Sequence, residues 1–107
     1  MIWGAQWDTM LNYILTGSDK EKVTAVTGNH SGTRAKTGQY GSDIMNNIFD
    51  LSSNVREWTS EAYGATNRVN RGGNYNTAGL NASSIRNSYN PTNSYGDIGS
   101  RLSLYLK

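Results

Sequence analysis

The sequence predicts a single α+β domain with short helices, a small antiparallel sheet and much irregular loop. A helical stripe near the start has apolar residues at i, i+3, i+4 and i+7, namely Trp7, Met10, Leu11 and Ile14. The segment Ser100–Lys107 alternates leucines with Arg, Ser and Tyr, which is typical of a strand. Twelve Gly and one Pro among 107 residues indicate many turns and little continuous helix. This length fits one domain with one core.

The helix is expected over Gly4–Thr16, with its apolar stripe facing the core. Gly17 is a good C-terminal stop, because glycine tolerates the left-handed conformation that often ends a helix. The following segment, Ser18–Ser42, holds four glycines among polar residues and is expected to be a long loop. Within it, Ser18 and Glu21 have the spacing that caps a short helical turn. His30 has no Cys or second His near it, and we expect a solvated side chain.

Apolar residues return in Asp43–Leu51, which predicts a short turn or strand. Three residues beyond it are expected to contact the core: Val55, Trp58 and Tyr63. A short strand is expected at Arg68–Asn70, before the pair Gly72 and Gly73. Adjacent glycines indicate backbone that needs a positive φ or approaches another segment closely.

Composition excludes several classes of function. The chain has no cysteine, so disulfides and thiolate chemistry are excluded. Its formal net charge is +2, but the basic residues are scattered, whereas nucleic-acid binders cluster them. We therefore expect no nucleic-acid partner. No signal peptide or membrane-spanning stretch is visible, which predicts no membrane insertion. Trp3 and Trp7 lie almost at the start, which suggests that this domain is the C-terminal part of a longer protein.

Three ordered blocks occupy the second half of the chain: Asn54–Glu61, Arg68–Tyr75 and Ile98–Leu106. They resemble the C-terminal half of the formylglycine-generating-enzyme/sulfatase-modifying-factor family, whose fold is C-type-lectin-like. The matching residues are Leu51, Asn54, Val55, Glu57, Trp58, Thr59, Arg68, Val69, Arg71, Gly72, Gly73, Gly99 and Arg101. The match covers about Asp50–Lys107, and the helix containing Trp7 fits the family's early helix weakly. The resemblance implies a C-type-lectin-like fold over residues 1–107.

The chain departs from the family pattern in ways that bear on activity. Ser53 replaces a Gly, Arg56 replaces the first Trp of the motif, and Ser100 replaces a Phe. The family's enzymes bind copper through active-site cysteines, and thiolates are the ligands that suit Cu(I). Because this chain has no cysteine, that oxidase activity does not carry over, and we expect a protein that is not an enzyme and has no cofactor.

A branch of the same scaffold resembles the chain more closely: the variable proteins of diversity-generating retroelements. In these phage and bacterial proteins a C-terminal segment is diversified at adenines, for which Asn codons are frequent targets. Residues 71–101 form the corresponding candidate here, and their composition is rich in Asn, Ser, Thr and Tyr. The predicted ligand-binding residues are Asn74, Tyr75, Asn76, Thr77, Asn81, Ser84, Asn87, Tyr89, Asn93 and Tyr95.

Residues of these types also dominate antibody paratopes, because Tyr is a large rigid contact while Ser and Asn form adaptable hydrogen bonds. Tyr75, Tyr89 and Tyr95 are the expected anchors. The resemblance implies a protein or glycan ligand on a cell surface, and a location on a phage virion or bacterial surface. The same composition fits an ordinary polar loop. The alternative is therefore an undiversified structural or assembly domain of a phage or secreted protein. The sequence leaves the oligomeric state open.

The structural framework around this surface is expected to comprise Glu57, Trp58, Arg71, Gly72, Gly73, Arg86 and Arg101. An arginine is costly to bury unpaired, so we expect Glu57 or Asp50 to pair with Arg86 or Arg101. We predict in particular that Glu57 binds an arginine and holds the last strand. Some members of the family bind calcium near this motif, and Asp50 and Asn54 are the candidate ligands here. A structural role for Asn54 in a turn is the alternative.

Overall fold

The structure is a computed structural model that describes residues 1–76 and 82–102. One helix, α1, spans Gly4–Leu15, and short 3-10 turns span Lys20–Val23 and Gly41–Asp43. A two-stranded hairpin is formed by β1 (Ile44–Met45) and β2 (Ile48–Phe49). A four-stranded sheet contains β3 (Arg56–Tyr63), β4 (Asn67–Arg71), β5 (Arg86–Tyr89) and β6 (Ile98–Gly99). The prediction of an α+β domain is confirmed.

Helix α1 forms where the apolar stripe predicted it, and buries Gly4, Trp7, Leu11 and Ile14. At its start the Gln6 side chain accepts the N–H of Trp3 at 2.7 Å. At its end Gly17 does not take the predicted positive φ. A Cβ on Gly17 would stand 2.8 Å from the side-chain amide nitrogen of Asn46, so a larger residue there would have to displace that side chain.

The sheet is mixed rather than antiparallel, which corrects the predicted arrangement. Its strand order is β5-β4-β3-β6. The pairs β3–β4 and β4–β5 are antiparallel, but β6 lies parallel to β3. Because β5 and β6 run in the same direction at opposite edges, the chain between them has to cross β4 and β3. Residues 90–97 make that crossing, and we call them the crossover loop.

The two faces of the sheet are distinct because alternate residues of a strand point to opposite sides. Val69 and Arg71 of β4 point to α1: Val69 is fully buried, and Arg71 donates to Asp8 at 2.8 Å. Asn70 therefore points to the opposite face, together with its cross-strand neighbours Trp58 and Asn87. The crossover loop lies on this opposite face.

The predicted C-terminal strand Ser100–Lys107 is wrong for the part that the structure describes. The last described strand is β6, and residues 100–102 are outside any strand. Leu102 is 89% exposed, so its place in the alternating pattern does not put it in the core. The other two leucines of that pattern lie in residues 103–107, outside the described part of the chain.

The long polar segment after α1 is mostly irregular, as predicted. Its 3-10 turn is preceded by Asp19 rather than Ser18, and no side-chain bond caps it. The predicted turn or strand at Asp43–Leu51 is a β-hairpin. Asn46 and Asn47 form its two-residue turn with φ of 48° and 64°. Positive φ at both positions matches the twist of the flanking strands, and asparagine tolerates it better than most residues.

The main core cluster lies between α1, the first 3-10 turn and the hairpin. Its buried members are Ile2, Trp7, Leu11, Ile14, Val23, Met45 and Leu51. Trp58 and Val55 are only half-buried, and Tyr63 is 54% exposed, which corrects its predicted core role. Gly72 has a φ of 87°, and a Cβ there would collide with the Leu51 carbonyl oxygen. Both predicted reasons for a glycine therefore apply at Gly72.

Among the described residues, no helix combines the length and the apolar character needed to cross a bilayer.

A buried carboxylate predicts how stability depends on pH. Asp43 is fully buried, and its carboxylate accepts the Ser52 N–H at 2.9 Å and the Ser53 hydroxyl at 2.6 Å. Burial outweighs these donors and raises the pKa of Asp43 from 3.8 to about 6. In the window between pH 3.8 and about pH 6, the Asp43 carboxyl of the folded protein therefore keeps a proton that the unfolded chain has lost. We expect the free energy of unfolding to fall by roughly 3 kcal/mol in total as pH rises through this window, and to lose no more above it.

Urea unfolding between pH 3 and pH 8 measures this effect, with Asp43→Asn as the comparison. The variant carries no titrating group at this position, so its stability is expected to change less with pH than that of the wild type. Burial also raises the pKa of Glu57, which leaves a slope of the same sign in both proteins. Parallel profiles for the two proteins would contradict the assignment to Asp43.

Candidate functional site

Three aromatic side chains meet on the sheet face opposite α1. The ring centroids of Tyr89 and Tyr95 are 5.0 Å apart, and those of Tyr95 and Trp58 are 6.3 Å apart. Their interplanar angles of 40° and 57° make a tilted cluster rather than a flat stack. All three side chains are half-buried, so each keeps a part in solvent. Separations of this size are those at which aromatic pairs attract.

Each ring is placed by a different element. Trp58 lies on β3, Tyr89 ends β5, and Tyr95 lies on the crossover loop. Asn87 shares a face with Tyr89 because the two are separated by one residue on β5, and it is exposed. Asn93 is also exposed, and its amide donates to the Tyr95 hydroxyl at 3.2 Å. We call this set the aromatic face; its members are Trp58, Asn87, Tyr89, Asn93 and Tyr95.

The crossover loop is anchored through Asp97. The Asp97 carbonyl accepts the backbone N–H of Arg56 at 2.9 Å, and its carboxylate accepts the Asn74 side-chain amide. Arg56 also donates from its guanidinium to the Tyr89 hydroxyl at 3.4 Å, while being 6% exposed itself. These bonds hold the Tyr89 hydroxyl and the main chain of the crossover loop near the sheet.

Asn74 belongs to this anchor and not to the accessible surface. Its side chain is 1% exposed, so a ligand cannot touch it in this conformation. The backbone carbonyl oxygen of Asn74 also lies 3.0 Å from a ring nitrogen of His30. Composition alone placed Asn74 among the binding residues, because a buried asparagine and an exposed one look the same in sequence.

The remaining predicted binding residues are spread over more than one place. Asn76, Ser84, Asn87 and Asn93 are exposed, and Tyr75 is half-buried. The Tyr75 hydroxyl is near the crossover loop, 3.6 Å from where a Cβ of Gly96 would stand. Ser84 directly follows Ser83, whose backbone carbonyl accepts the Trp7 indole N–H. Ser84 therefore lies toward α1 and away from the aromatic face. Thr77 and Asn81 lie outside the described residues.

The predicted pair between Glu57 and an arginine is confirmed. Arg101 binds both carboxylate oxygens of Glu57, from its Nε at 2.9 Å and from a terminal nitrogen at 2.7 Å. The same arginine donates to the Phe49 carbonyl at 2.6 Å, which ties the hairpin to the sheet. Glu57 is 5% exposed; burial raises its pKa, and Arg101 opposes that shift.

The other framework arginines have different partners. Arg71 binds Asp8, and its guanidinium lies 5.9 Å from the centroid of the Trp7 ring. Arg86 is exposed and pairs with Glu61, near the edge of the sheet. Asp50 was predicted as a possible arginine partner, but its carboxylate instead accepts the Asn54 amide at 3.2 Å.

Asp50 and Asn54 border a cavity of about 190 Å³ that Glu57 and Arg101 also line. The calcium candidates do not fit a calcium site. The Asn54 amide oxygen accepts the N–H of Ala35 at 2.9 Å, and Asn54 turns its N–H donors toward Asp50. Calcium needs six to eight oxygen ligands, and the described residues contain no group of three or more acidic or histidine side chains placed for a metal. The structural role predicted as the alternative for Asn54 agrees with its φ of 63°.

His30 is not the solvated side chain that the sequence predicted. It is half-buried, and its ring nitrogens lie 3.0 Å from the carbonyl oxygens of Asn74 and Thr27. The ring therefore links the early loop to the residue that anchors the crossover loop. Ser53, whose hydroxyl donates to the Asp43 carboxylate, is by contrast fully buried, and a substrate cannot approach that hydroxyl.

Comparison of the chain with protein-family models, with curated proteins and with solved structures finds no match.

Nothing in the sequence indicated a special role for Asn70, which lies on the same side of the sheet as the aromatic face. Asn70 is fully buried in the middle of β4, and both polar atoms of its side chain lack a hydrogen-bond partner among the described residues. The strand reads Asn-Arg-Val-Asn-Arg, so one more polar residue in it was no irregularity. The burial of Asn70 is a property of the tertiary structure, because the pattern of β4 does not show which of its faces is covered.

Proposed function

We propose that the protein is a non-enzymatic ligand-binding domain that uses the aromatic face, on a C-type-lectin-like scaffold. The observation that carries this proposal is the meeting of the half-buried rings of Tyr89, Tyr95 and Trp58 on the sheet face opposite α1. Two of these rings come from residues 71–101, and the third comes from the framework. A surface of this kind offers large rigid contacts next to adaptable amides.

The separation of the face from the core supports a displayed and variable surface. The main core cluster lies on the other side of the sheet, around α1 and the hairpin. Asn87 and Asn93 are exposed, so changes at these positions are expected to affect stability by less than about 0.5 kcal/mol. A segment diversified by a retroelement needs such positions, because its substitutions must leave the fold intact.

The ligand class that follows is a protein or glycan on a cell surface, met by a domain on a phage virion or a bacterial surface. The alternative is an undiversified structural or assembly domain on the same scaffold. A near-copy of the coding stretch for residues 71–101 in the same genome, differing only at adenines, would separate the two. Absence of that copy and of a nearby reverse transcriptase would favour the alternative.

Removing either tyrosine of the face is expected to weaken binding strongly. Cell-surface and glycan arrays probed with the wild type identify a ligand, and Tyr89→Ala and Tyr95→Ala are then measured against it. An aromatic anchor contributes about 2 kcal/mol or more, so the dissociation constant is expected to rise by roughly 30-fold.

Tyr13→Ala is the matched control, because Tyr13 is 58% exposed on α1 and lies outside the aromatic face. It is expected to bind as the wild type does. Circular dichroism checks that all three variants are folded. Wild-type affinity in both face variants would refute this binding surface.

A further inference from the structure

The side-chain amide of Asn70 is buried without a hydrogen bond to any described residue. Its residue exposure is 0%, and neither Oδ1 nor Nδ2 has a partner among the described residues. Leaving such a group unpaired costs free energy, because it has lost its hydrogen bonds to water without replacing them. The other buried asparagines at Asn29, Asn54 and Asn74 are bonded through their side chains. Asn70 is thus the exception among them.

The register of the sheet places Asn70 beneath the aromatic face. It pairs with Trp58 on one side and with Asn87 on the other, so the three side chains project from the same face. Arg68, two residues earlier on β4, pairs with Tyr89, which puts that ring on this face too. The buried amide is therefore next to the surface for which ligand binding is proposed.

We propose that Asn70 forms the floor of a ligand subsite that receives the side-chain carboxamide of an asparagine or glutamine from a protein ligand. This inference rests on the proposed function and names what the aromatic face recognises. The two side-chain amides pair edge to edge: Nδ2 of Asn70 donates to the carbonyl oxygen of the ligand, and Oδ1 accepts its N–H.

Hydrogen-bond chemistry selects this group. Asn70 needs one donor and one acceptor on the same edge of the incoming group. A carboxylate has acceptors only, and an ammonium has donors only. A trans secondary amide, such as a peptide unit or an acetamido group, presents its N–H and C=O on opposite edges. A primary carboxamide presents both on one edge.

The Tyr95 ring contacts Trp58 on β3 and Tyr89 on β5, so it passes over β4, the strand between them that carries Asn70. Tyr95 belongs to the crossover loop, where residues 91–94 are exposed. Access to Asn70 requires this ring to turn outward. An outward turn of the ring breaks the bond from Asn93 to the Tyr95 hydroxyl. It leaves in place the main-chain bond in which the Asp97 carbonyl accepts the N–H of Arg56.

The first test compares two buried asparagines that differ in their partners. Asn70→Leu removes an unpaired amide and keeps its shape, so the thermal midpoint is expected to rise by several degrees. Asn74→Leu removes an amide that binds Asp97, so its midpoint is expected to fall. A fall in Asn70→Leu comparable to that in Asn74→Leu would show that Asn70 is a structural residue, and would overturn the proposal.

The second test uses small amides on the wild-type protein, observed by NMR at the Trp58 indole N–H. Acetamide is expected to produce a saturable shift in the millimolar range, since a fragment of four heavy atoms gains little binding energy. N-methylacetamide is the matched control, because its N–H and C=O lie on opposite edges. An equal response to both amides, or none to acetamide, would overturn the proposal. The shift is expected to be lost in Asn70→Leu.

Adenine is a second chemical class that presents a donor and an acceptor on one edge. The scattered basic residues favour a protein side chain over a nucleotide. Saturation by adenosine without saturation by acetamide would overturn the assignment to a protein carboxamide.

These outcomes are distinguishable from failure of the proposed function. If Tyr89→Ala and Tyr95→Ala lose binding to the array ligand while Asn70→Leu keeps it, the aromatic face stands and the subsite fails. If the tyrosine variants bind as the wild type does, the face itself is refuted.

Discussion

Replacing Trp7 by alanine is expected to lower the free energy of unfolding by about 4 kcal/mol, as is usual when a large aromatic side chain is removed from a core. Trp7 is fully buried in α1, and its indole N–H donates to the Ser83 carbonyl at 3.0 Å. A Cβ at Gly72 would stand 3.2 Å from its ring, so the backbone there packs closely against it. The substitution thus leaves both a cavity and an unpaired carbonyl.

Urea denaturation followed by far-ultraviolet circular dichroism measures the loss, since the change in tryptophan content disturbs fluorescence. Trp3→Ala is the control, because Trp3 is 62% exposed beside the same helix and is expected to change stability by less than about 0.5 kcal/mol. Trp7→Phe keeps most of the ring and removes the hydrogen bond, so an intermediate loss is expected. Equal effects of Trp3→Ala and Trp7→Ala would contradict this account of the core.

Replacing Arg101 by methionine is expected to cost about 3–5 kcal/mol at pH 7, because it leaves the buried Glu57 carboxylate without a counter-charge. Glu57 is 5% exposed, and both of its oxygens accept from Arg101. The cost is expected to shrink in acid, where Glu57 takes up a proton and no longer needs a cation.

The measurement is a double-mutant cycle with Glu57→Gln and Arg101→Met, each unfolded in urea at pH 7 and at pH 4. The double variant is expected to be more stable than the sum of the two single losses predicts. Arg86→Met is the matched control. It breaks an exposed pair with Glu61, whose side chains are 45% and 33% exposed, and such pairs contribute under about 1 kcal/mol. A loss at Arg86 as large as that at Arg101 would contradict the role of burial.

Both substitutions act on the framework and leave the residues of the aromatic face unchanged. Trp7 and the Glu57–Arg101 pair hold α1, the hairpin and the sheet together. Trp58, Tyr89 and Tyr95 lie on the other side of the sheet. This division allows a binding surface to vary while stability is maintained, and it predicts that stability and affinity can be changed separately.

Several elements were predictable because their signal is local. The stripe through Trp7, Leu11 and Ile14 predicted α1, since spacing along a helix decides which side chains share a face. The Gly72 position was predictable because a non-glycine residue is strained at its φ. The pair between Glu57 and an arginine followed from the cost of burying either charge alone.

The wrong predictions concern features that depend on distant parts of the chain. Leu102 continues an alternating pattern, yet it is exposed, because alternation shows which residues share a face and not whether anything covers that face. Asn74 and Asn87 belong to the same polar segment. One anchors Asp97 in the interior, and the other lies at the surface.

The sequence by itself determined the α+β class, the helix, the absence of thiol chemistry and the segment that carries the candidate binding residues. These follow from composition and from patterns within a few residues. Only the tertiary structure decided that β6 runs parallel to β3, because strand direction depends on the path of the crossover loop. That path brings Tyr95 from the loop to Trp58 and Tyr89, across the strand that carries Asn70. Contacts between residues far apart in the chain are chosen by packing and burial, which no local pattern specifies.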